Sequence, residues 1–233
     1  MTVVASAWRW LTTGAHWSGT EGIATRLVQH VVLSALSLAL ACAVAVPIAL
    51  WLGHIGRGGF VAIAVTSVGR AVPTFALLSV FSLTSLGFGN ASVVLALVLF
   101  GIPPVLTNAY TGIRDVDADT VEAARGVGMT GGQVLRRVEL PLALPLVVNG
   151  VRLAAVQIVA TLSIAALVAG PGLGRIISQG FGTHDNGEIV AGAVLILFVA
   201  IAVEATFALA QRRLAPGARR GPARRGILVG GGR

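Results

Sequence analysis

The sequence has no lysine, a single cysteine and few charged residues of either sign. All seventeen of its basic residues are arginine, and Cys42 has no second cysteine with which to form an intrachain disulfide. Charged residues make up only 11% of the chain, whereas hydrophobic residues make up 55% and the mean hydropathy is +0.87. This composition excludes an ordinary soluble domain. We therefore expect an integral membrane protein.

Five hydrophobic segments are long enough to cross a membrane, since a helix needs roughly 20 apolar residues to span the hydrocarbon core. We find no internal repeat among them, which disfavours a secondary transporter built from two inverted halves. The sequence predicts an all-α membrane protein with an interfacial N-terminal segment at 1–26, a transmembrane domain at 27–209 and a basic tail at 210–233. The predicted spans are 27–52, 59–83, 92–111, 142–169 and 189–209.

The distribution of arginine predicts the orientation of these spans. Arg57 follows the first span, four arginines lie between the third and fourth spans and seven lie in the tail, and arginine in loops marks the cytoplasmic side. We therefore expect the N-terminus outside and the C-terminus in the cytoplasm. The tail is rich in Gly, Pro and Arg and has no acidic residue, so we expect it to be disordered. We expect it to contact anionic lipid headgroups rather than nucleic acid.

A polar island at about 112–141 separates the third span from the fourth. Asp119 and Glu122 have the spacing of a capping box, which predicts a short helix that begins there. Thr130 and Gln133 repeat this pattern and predict a second helix that runs into the fourth span. Two glycines between them, one of which is Gly128, allow the chain to leave the first helix.

The island carries a spaced pattern: Glu122-Ala123-Ala124, three residues, Gly128, nine residues, then Val138-Glu139-Leu140-Pro141. The small alanines allow another protein to approach the first helix closely, beside the charged Glu122. On the residues alone, two amphipathic helices lying on the membrane surface are an equally good interpretation.

The full spacing resembles the EAA motif in permease subunits of bacterial ATP-binding-cassette (ABC) importers, with valine at position 138 in place of isoleucine. The resemblance covers roughly residues 27–209. Four stretches further resemble the branch of permeases for glycine betaine, carnitine, choline and proline: residues 108–113, residues 122–129, residues 138–145 and Gly172-Leu173-Gly174.

This resemblance implies the fold of a type I ABC importer permease in a bacterial cytoplasmic membrane. It implies an ATPase that the first island helix contacts, through the motif residues Glu122, Ala123, Ala124, Gly128, Leu140 and Pro141. It also implies a second permease, identical or paralogous, and an extracytoplasmic solute-binding protein. The sequence contains no G-x-x-x-x-G-K-[ST] phosphate loop. We therefore expect ATP and Mg²⁺ on the ATPase and no cofactor on this chain.

Three charged residues, Arg70, Arg152 and Glu204, lie inside predicted spans, where a central charge costs about 2.5–3.5 kcal/mol. We predict that Glu204 pairs with one of the two arginines. Such a pair can hold helices together or line the solute path, and the sequence leaves both roles open. Asn149 and Gln157 in the fourth span likewise suit either a passage or interhelical hydrogen bonds.

Other classes of protein fit the sequence less well. A membrane enzyme needs a nucleophile, a metal or an acid–base set, yet the four histidines are scattered and neither H-E-x-x-H nor G-x-S-x-G occurs. An ion channel or a passive scaffold does not need the capped island. The sequence favours the permease of an osmoprotectant importer, with another small solute such as methionine or a phosphonate as the alternative.

Overall fold

The computed structural model describes residues 2–60, 64, 69, 73–168 and 170–214. Ten residues of the predicted span 59–83, among them Arg70, and residues 215–233 of the predicted tail lie outside this set. Over the described residues the regular elements are all helical, as predicted. The helices are α1 (Val3–Thr12), α2 (Ile23–His54), α3 (Thr74–Ser82), α4 (Asn90–Arg114), α5 (Ala118–Gly126), α6 (Gly131–Val134), α7 (Leu140–Leu162), α8 (Gly174–Thr183) and α9 (Asn186–Leu214).

Helices of membrane-spanning length and hydropathy occur four times among the described residues, at Ile23–His54, Asn90–Arg114, Gly131–Val168 and Asn186–Arg213. They coincide with four of the five predicted spans. In the remaining predicted span, 59–83, the structure describes α3 at Thr74–Ser82. The chain is a multi-pass membrane protein.

The helices do not end at the predicted span boundaries, because hydrophobicity marks only the part of a helix inside the hydrocarbon. The first membrane helix begins at Ile23 and so takes four residues from the predicted N-terminal segment. The last helix continues to Leu214, so residues 210–214 are helical and do not belong to an irregular tail. The fourth span ends as an α-helix at Leu162, and Ser163–Val168 form a tighter 3₁₀ helix.

The core of the bundle is formed by α2, α4 and α7, which pack closely because small residues lie between them. A Cβ atom on Gly53 would lie 2.8 Å from Ile113 Cβ, and one on Gly150 would lie 2.7 Å from Asn108 Cβ. Such close approaches are typical of helix pairs in membranes. The buried side chains of this core are Ala45, Ala49, Val105, Leu106, Ala109, Ile113, Ala143, Val147 and Ala154.

The outer helix α9 packs on α1, α7 and α8, around a second buried cluster that includes Ile23, Leu173 and Ile196. Its other side exposes large apolar residues such as Phe198 and Ile201. An exposed apolar side of this kind suits lipid or another membrane subunit.

Helices α5 and α6 lie at one end of the bundle, which we call the island end. The last turn of α2, the end of α4 and the start of α7 meet there, and α1 and α8 lie at the opposite end.

Candidate functional site

Helix α5 begins at Ala118, so its N-cap lies two residues before the predicted one. Asp117 is its N-cap, and its Oδ1 atom accepts hydrogen bonds from the backbone N–H groups of Asp119 (2.7 Å) and Thr120 (3.2 Å). The prediction of Asp119 as the cap is therefore wrong. Asp119 lies in the first turn instead, where its carboxylate interacts favourably with the helix dipole.

Helix α5 ends in a Schellman motif built on Gly128. The N–H of Gly128 donates to Arg125 O at 2.9 Å, and the N–H of Met129 donates to Ala124 O at 3.2 Å. These two bonds require a left-handed residue at the position of Gly128, whose φ is +87°. The spacing from Glu122-Ala123-Ala124 to Gly128 is thus the spacing of a capped helix end.

The exposed face of α5 differs in part from the predicted one. Glu122, Ala123 and Gly128 are exposed, as a contact surface requires. Ala124 is only 8% exposed and turns towards its own chain, and its backbone carbonyl accepts the hydrogen bond of the Schellman end. The sequence reasoning missed Val127, which is 78% exposed at the tip of the island. Its signal was an apolar residue between two glycines of a polar segment.

The second predicted capping box, at Thr130, is present. Gln133 Oε1 accepts a hydrogen bond from the Thr130 backbone N–H at 2.8 Å, and α6 begins at the next residue. The chain then passes through a π-helical turn, Leu135–Glu139, directly into α7. This confirms the prediction of a second helix that runs into the fourth span.

The last two motif residues lie at the start of α7. Leu140 is half-buried and Pro141 is exposed. Pro141 stands in the first turn of α7, where a missing N–H costs little.

A histidine from α2 anchors the island. His54 Nδ1 donates a hydrogen bond to Glu139 Oε2 at 2.6 Å, and the Glu139 side chain is only 6% exposed. The other ring nitrogen of His54 faces α6, because a Cβ on Gly131 would lie 3.2 Å from Nε2. The sequence reasoning missed this contact, which joins residues 85 positions apart.

The predicted intramembrane ion pair is present between Arg152 and Glu204. Arg152 Nε donates to Glu204 Oε2 at 2.8 Å, Arg152 Nη2 contacts Glu204 Oε1, and Arg152 Nη1 donates to Gln211 Oε1 at 2.7 Å. The cluster joins α7 to α9. Arg70, the other candidate partner, lies outside the described residues.

The two polar residues predicted on the fourth span occupy different surroundings. Asn149 Nδ2 donates to Asn108 Oδ1 at 3.1 Å, which is a hydrogen bond between α7 and α4. Gln157 is exposed and lines a cavity of about 120 Å³, together with Gly69, Phe100, Pro103, Pro104, Thr107, Asn108 and Leu153.

At the opposite end of the bundle, two consecutive residues of α2 bind the loop before α8. Gln29 Oε1 accepts from the Gly172 N–H and His30 Nδ1 accepts from the Leu173 N–H, both at 3.3 Å. His30 Nε2 donates to Val159 O at 3.0 Å, so the fully buried ring bridges α2, α7 and the loop. The sequence reasoning did not predict this clamp.

The described part of the chain contains no group of three or more His, Cys, Asp or Glu side chains that could hold a metal ion.

Residues 31–220 match the family of binding-protein-dependent transport system inner membrane components. Among curated relatives, the choline transport system permease protein OpuBB of Bacillus subtilis is 32% identical over 188 residues, which cover 81% of this chain and 86% of the relative. The carnitine transport permease protein OpuCB of Listeria monocytogenes is 34% identical with the same coverage. The osmoprotectant import permease protein OsmY of Salmonella typhimurium is 32% identical, covering 81% of this chain and 80% of OsmY.

Solved structures show the same fold at lower identity. An inward-facing structure of the MetNI methionine ABC transporter superposes with a TM-score of 0.73 at 19% identity, covering 82% of this chain and 95% of the other. A crystal structure of an amino acid ABC transporter gives 0.69 at 19% identity, covering 91% and 100%. The predicted fold of an ABC importer permease is confirmed. The chain belongs to the family of binding-protein-dependent transport system inner membrane components and is a transport permease subunit, not an enzyme.

Proposed function

We propose that this chain forms part of the membrane pathway of an ATP-driven importer for osmoprotectants of the glycine betaine, carnitine, choline and proline class. The observation that carries the proposal is the island: a capped helix with an exposed face, ended by a glycine Schellman motif at the spacing of the EAA motif. The solute class is supported by the relatives, which are named for choline, carnitine and glycine betaine transport.

The exposed face of α5 is the proposed contact with the ATPase. Glu122 and Ala123 offer a charge and a close approach, and Val127 offers an apolar side chain at the tip. The backbone of Ala124 and the exposed Gly128 form the Schellman end of this helix. Leu140 and Pro141 join the island to α7, so displacement of α5 is passed to a core helix. ATP and Mg²⁺ bind to the ATPase, and this chain carries no cofactor.

The island end then faces the cytoplasm, with the basic tail 215–233 near anionic lipid headgroups, and the N-terminal segment lies outside. A second permease, identical or paralogous, completes the pathway, and an extracytoplasmic binding protein delivers the solute. The transmembrane domain corresponds to the predicted range 27–209, with the island at 112–141 as its coupling loop.

Two intramembrane groups have different proposed roles. Gln157 lines a cavity between α4 and α7 and is the better candidate for the solute path, with Arg70 of the second predicted span as a further one. Arg152, Glu204 and Asn149 satisfy one another or neighbouring helices by hydrogen bonds, so we assign them to helix packing.

The experiment reconstitutes this chain in proteoliposomes with its ATPase, its second permease and its binding protein. Uptake of radiolabelled glycine betaine, choline, carnitine and proline is measured with and without ATP, and methionine and a phosphonate serve as alternative solutes. We expect ATP-dependent uptake of at least one osmoprotectant. If only methionine or the phosphonate is taken up, the proposal of an osmoprotectant as solute is refuted. If uptake does not depend on ATP, the proposal of an ATP-driven importer is refuted.

The same preparation tests the coupling face. Glu122→Arg reverses a charge on the exposed side of α5, and Asp115→Arg makes the same change on an exposed residue between α4 and α5. We expect Glu122→Arg to reduce uptake at least tenfold and Asp115→Arg to leave it within twofold. Equal effects of the two variants would exclude a specific role for the α5 face.

A further inference from the structure

The contact between His54 and Glu139 joins two parts of the chain that are 85 residues apart. His54 stands at the last residue of α2, and Glu139 closes the π-helical turn that leads from the island into α7. The Glu139 side chain is 6% exposed and the His54 side chain 18% exposed, so water competes little for this hydrogen bond. A buried carboxylate is stable only when it is paired. The hydrogen bond to His54 therefore stabilises the buried carboxylate of Glu139.

The same imidazole also lies against the start of α6. A Cβ on Gly131 would come within 3.2 Å of His54 Nε2, whereas a Cβ on Gly132 would meet nothing within 4 Å. Gly131 and Glu139 are the first and last residues of the segment between α5 and α7 that is wound as α6 and the π-helical turn. His54 therefore binds one end of this segment, at Glu139, and lies close to the other, at Gly131.

We infer that His54 and Glu139 are positioning residues that make the island and the end of α2 move as one unit when an ATPase displaces α5. This inference rests on the proposed function, since it concerns how motion enters the membrane helices. Without the pair, α5 still meets the ATPase through Glu122 and Val127 and stays joined to α7, but the direct contact between the island and the end of α2 is lost. Hydrolysis then continues while transport is lost.

The test uses the complete reconstituted complex and compares uptake per ATP hydrolysed. His54→Ala and Glu139→Ala remove the hydrogen bond, and Glu139→Gln keeps an acceptor for His54 Nδ1. The control is His184→Ala, a change at an exposed histidine at the opposite end of the bundle. We expect both alanine variants to hydrolyse ATP at close to the parental basal rate, with uptake per ATP reduced at least tenfold. Glu139→Gln recovers most of the parental ratio.

The double variant His54→Ala, Glu139→Ala adds a coupling measurement. If the two residues act as one unit, the double variant has the same ratio of uptake to ATP as either single variant. Additive losses would overturn the inference, as would an unchanged ratio or a loss of hydrolysis in proportion to uptake in the single variants.

A second pair of variants tests the inference if the complex does not assemble without His54 or Glu139. Gly131→Ala pushes on the imidazole without removing it, and Gly132→Ala makes the same change next to it in open space. We expect Gly131→Ala to lower uptake per ATP at least threefold and Gly132→Ala to leave it unchanged. Equal ratios for the two would overturn the inference.

Failure of the proposed function gives a different result. If the parent complex takes up none of the solutes, the solute class is wrong, and the inference is measured instead by the stimulation of ATP hydrolysis on addition of the binding protein. We then expect His54→Ala to lose this stimulation and retain the basal rate. Full stimulation in His54→Ala would overturn the inference on its own.

Discussion

Gly128 gives the sharpest test of how the island is built. Its φ is +87°, and a Cβ added there would meet nothing within 4 Å, so Gly128→Ala introduces backbone strain without a clash. An L-residue in the left-handed region costs roughly 1–2 kcal/mol. If this cost falls on the closed helix end, the population of the open end rises about 5- to 30-fold. We predict this increase in opening for Gly128→Ala.

The matched control is Gly126→Ala, two residues earlier. Gly126 also has open space around its Cβ position, but it has no positive φ and is the last residue of α5. Alanine in a helix is favoured over glycine by up to about 1 kcal/mol, so this variant should keep or strengthen the helix end. Gly128→Asn should fall between the two alanine variants, because asparagine tolerates the left-handed region better.

The assay is hydrogen exchange of the purified protein in lipid nanodiscs, read on the amides of Gly128 and Met129. Both amides donate to carbonyl groups of α5, so they exchange only when the helix end opens. We expect faster exchange in Gly128→Ala and parental or slower exchange in Gly126→Ala. The same exchange rate in both variants would refute the Schellman end and, with it, our explanation of the motif's glycine.

Three further predictions concern the membrane helices. Gly150→Ala should lower the midpoint of thermal aggregation in detergent, because overpacking between α4 and α7 costs about 1–3 kcal/mol. Gly132→Ala should leave the midpoint unchanged, and equal midpoints for the two variants would contradict the close packing of α4 and α7. Glu204→Ala should lower the same midpoint, and the charge-swapped double variant Arg152→Glu, Glu204→Arg should recover part of the loss; no recovery would contradict a direct pair. His30→Ala should speed exchange of the Leu173 amide, and unchanged exchange would exclude the clamp.

The membrane spans could be predicted from the sequence because a run of about twenty apolar residues is the length that a helix needs to cross the hydrocarbon core. Their ends could not, because helix α9 continues through the polar Arg212 and Arg213 once its hydrogen bonds are established. The capping box at Thr130 was predicted correctly, since its two partners are three residues apart. The cap of α5 was misplaced, because Asp117 and Asp119 both suit the role and only the backbone decides between them.

The long-range contacts of the site were harder to predict. The partner of Glu204 was limited to two arginines by charge alone, and the structure shows Arg152. His54 and Glu139 gave no such signal, because their contact depends on where two helices end relative to each other. The burial of Ala124 likewise depends on how α5 packs on the rest of the chain, and a sequence motif gives the residue type but not its burial.

The central claim is that α5 meets a partner ATPase, and site-specific photo-crosslinking measures this contact most directly. A photoreactive amino acid replaces Val127, which is 78% exposed at the tip of the island, and in a control chain it replaces Phe88, which is 64% exposed at the opposite end. We predict an adduct with the ATPase from position 127 and none from position 88. An ATPase adduct from position 88 alone, or from neither position in an assembled complex, would contradict the account.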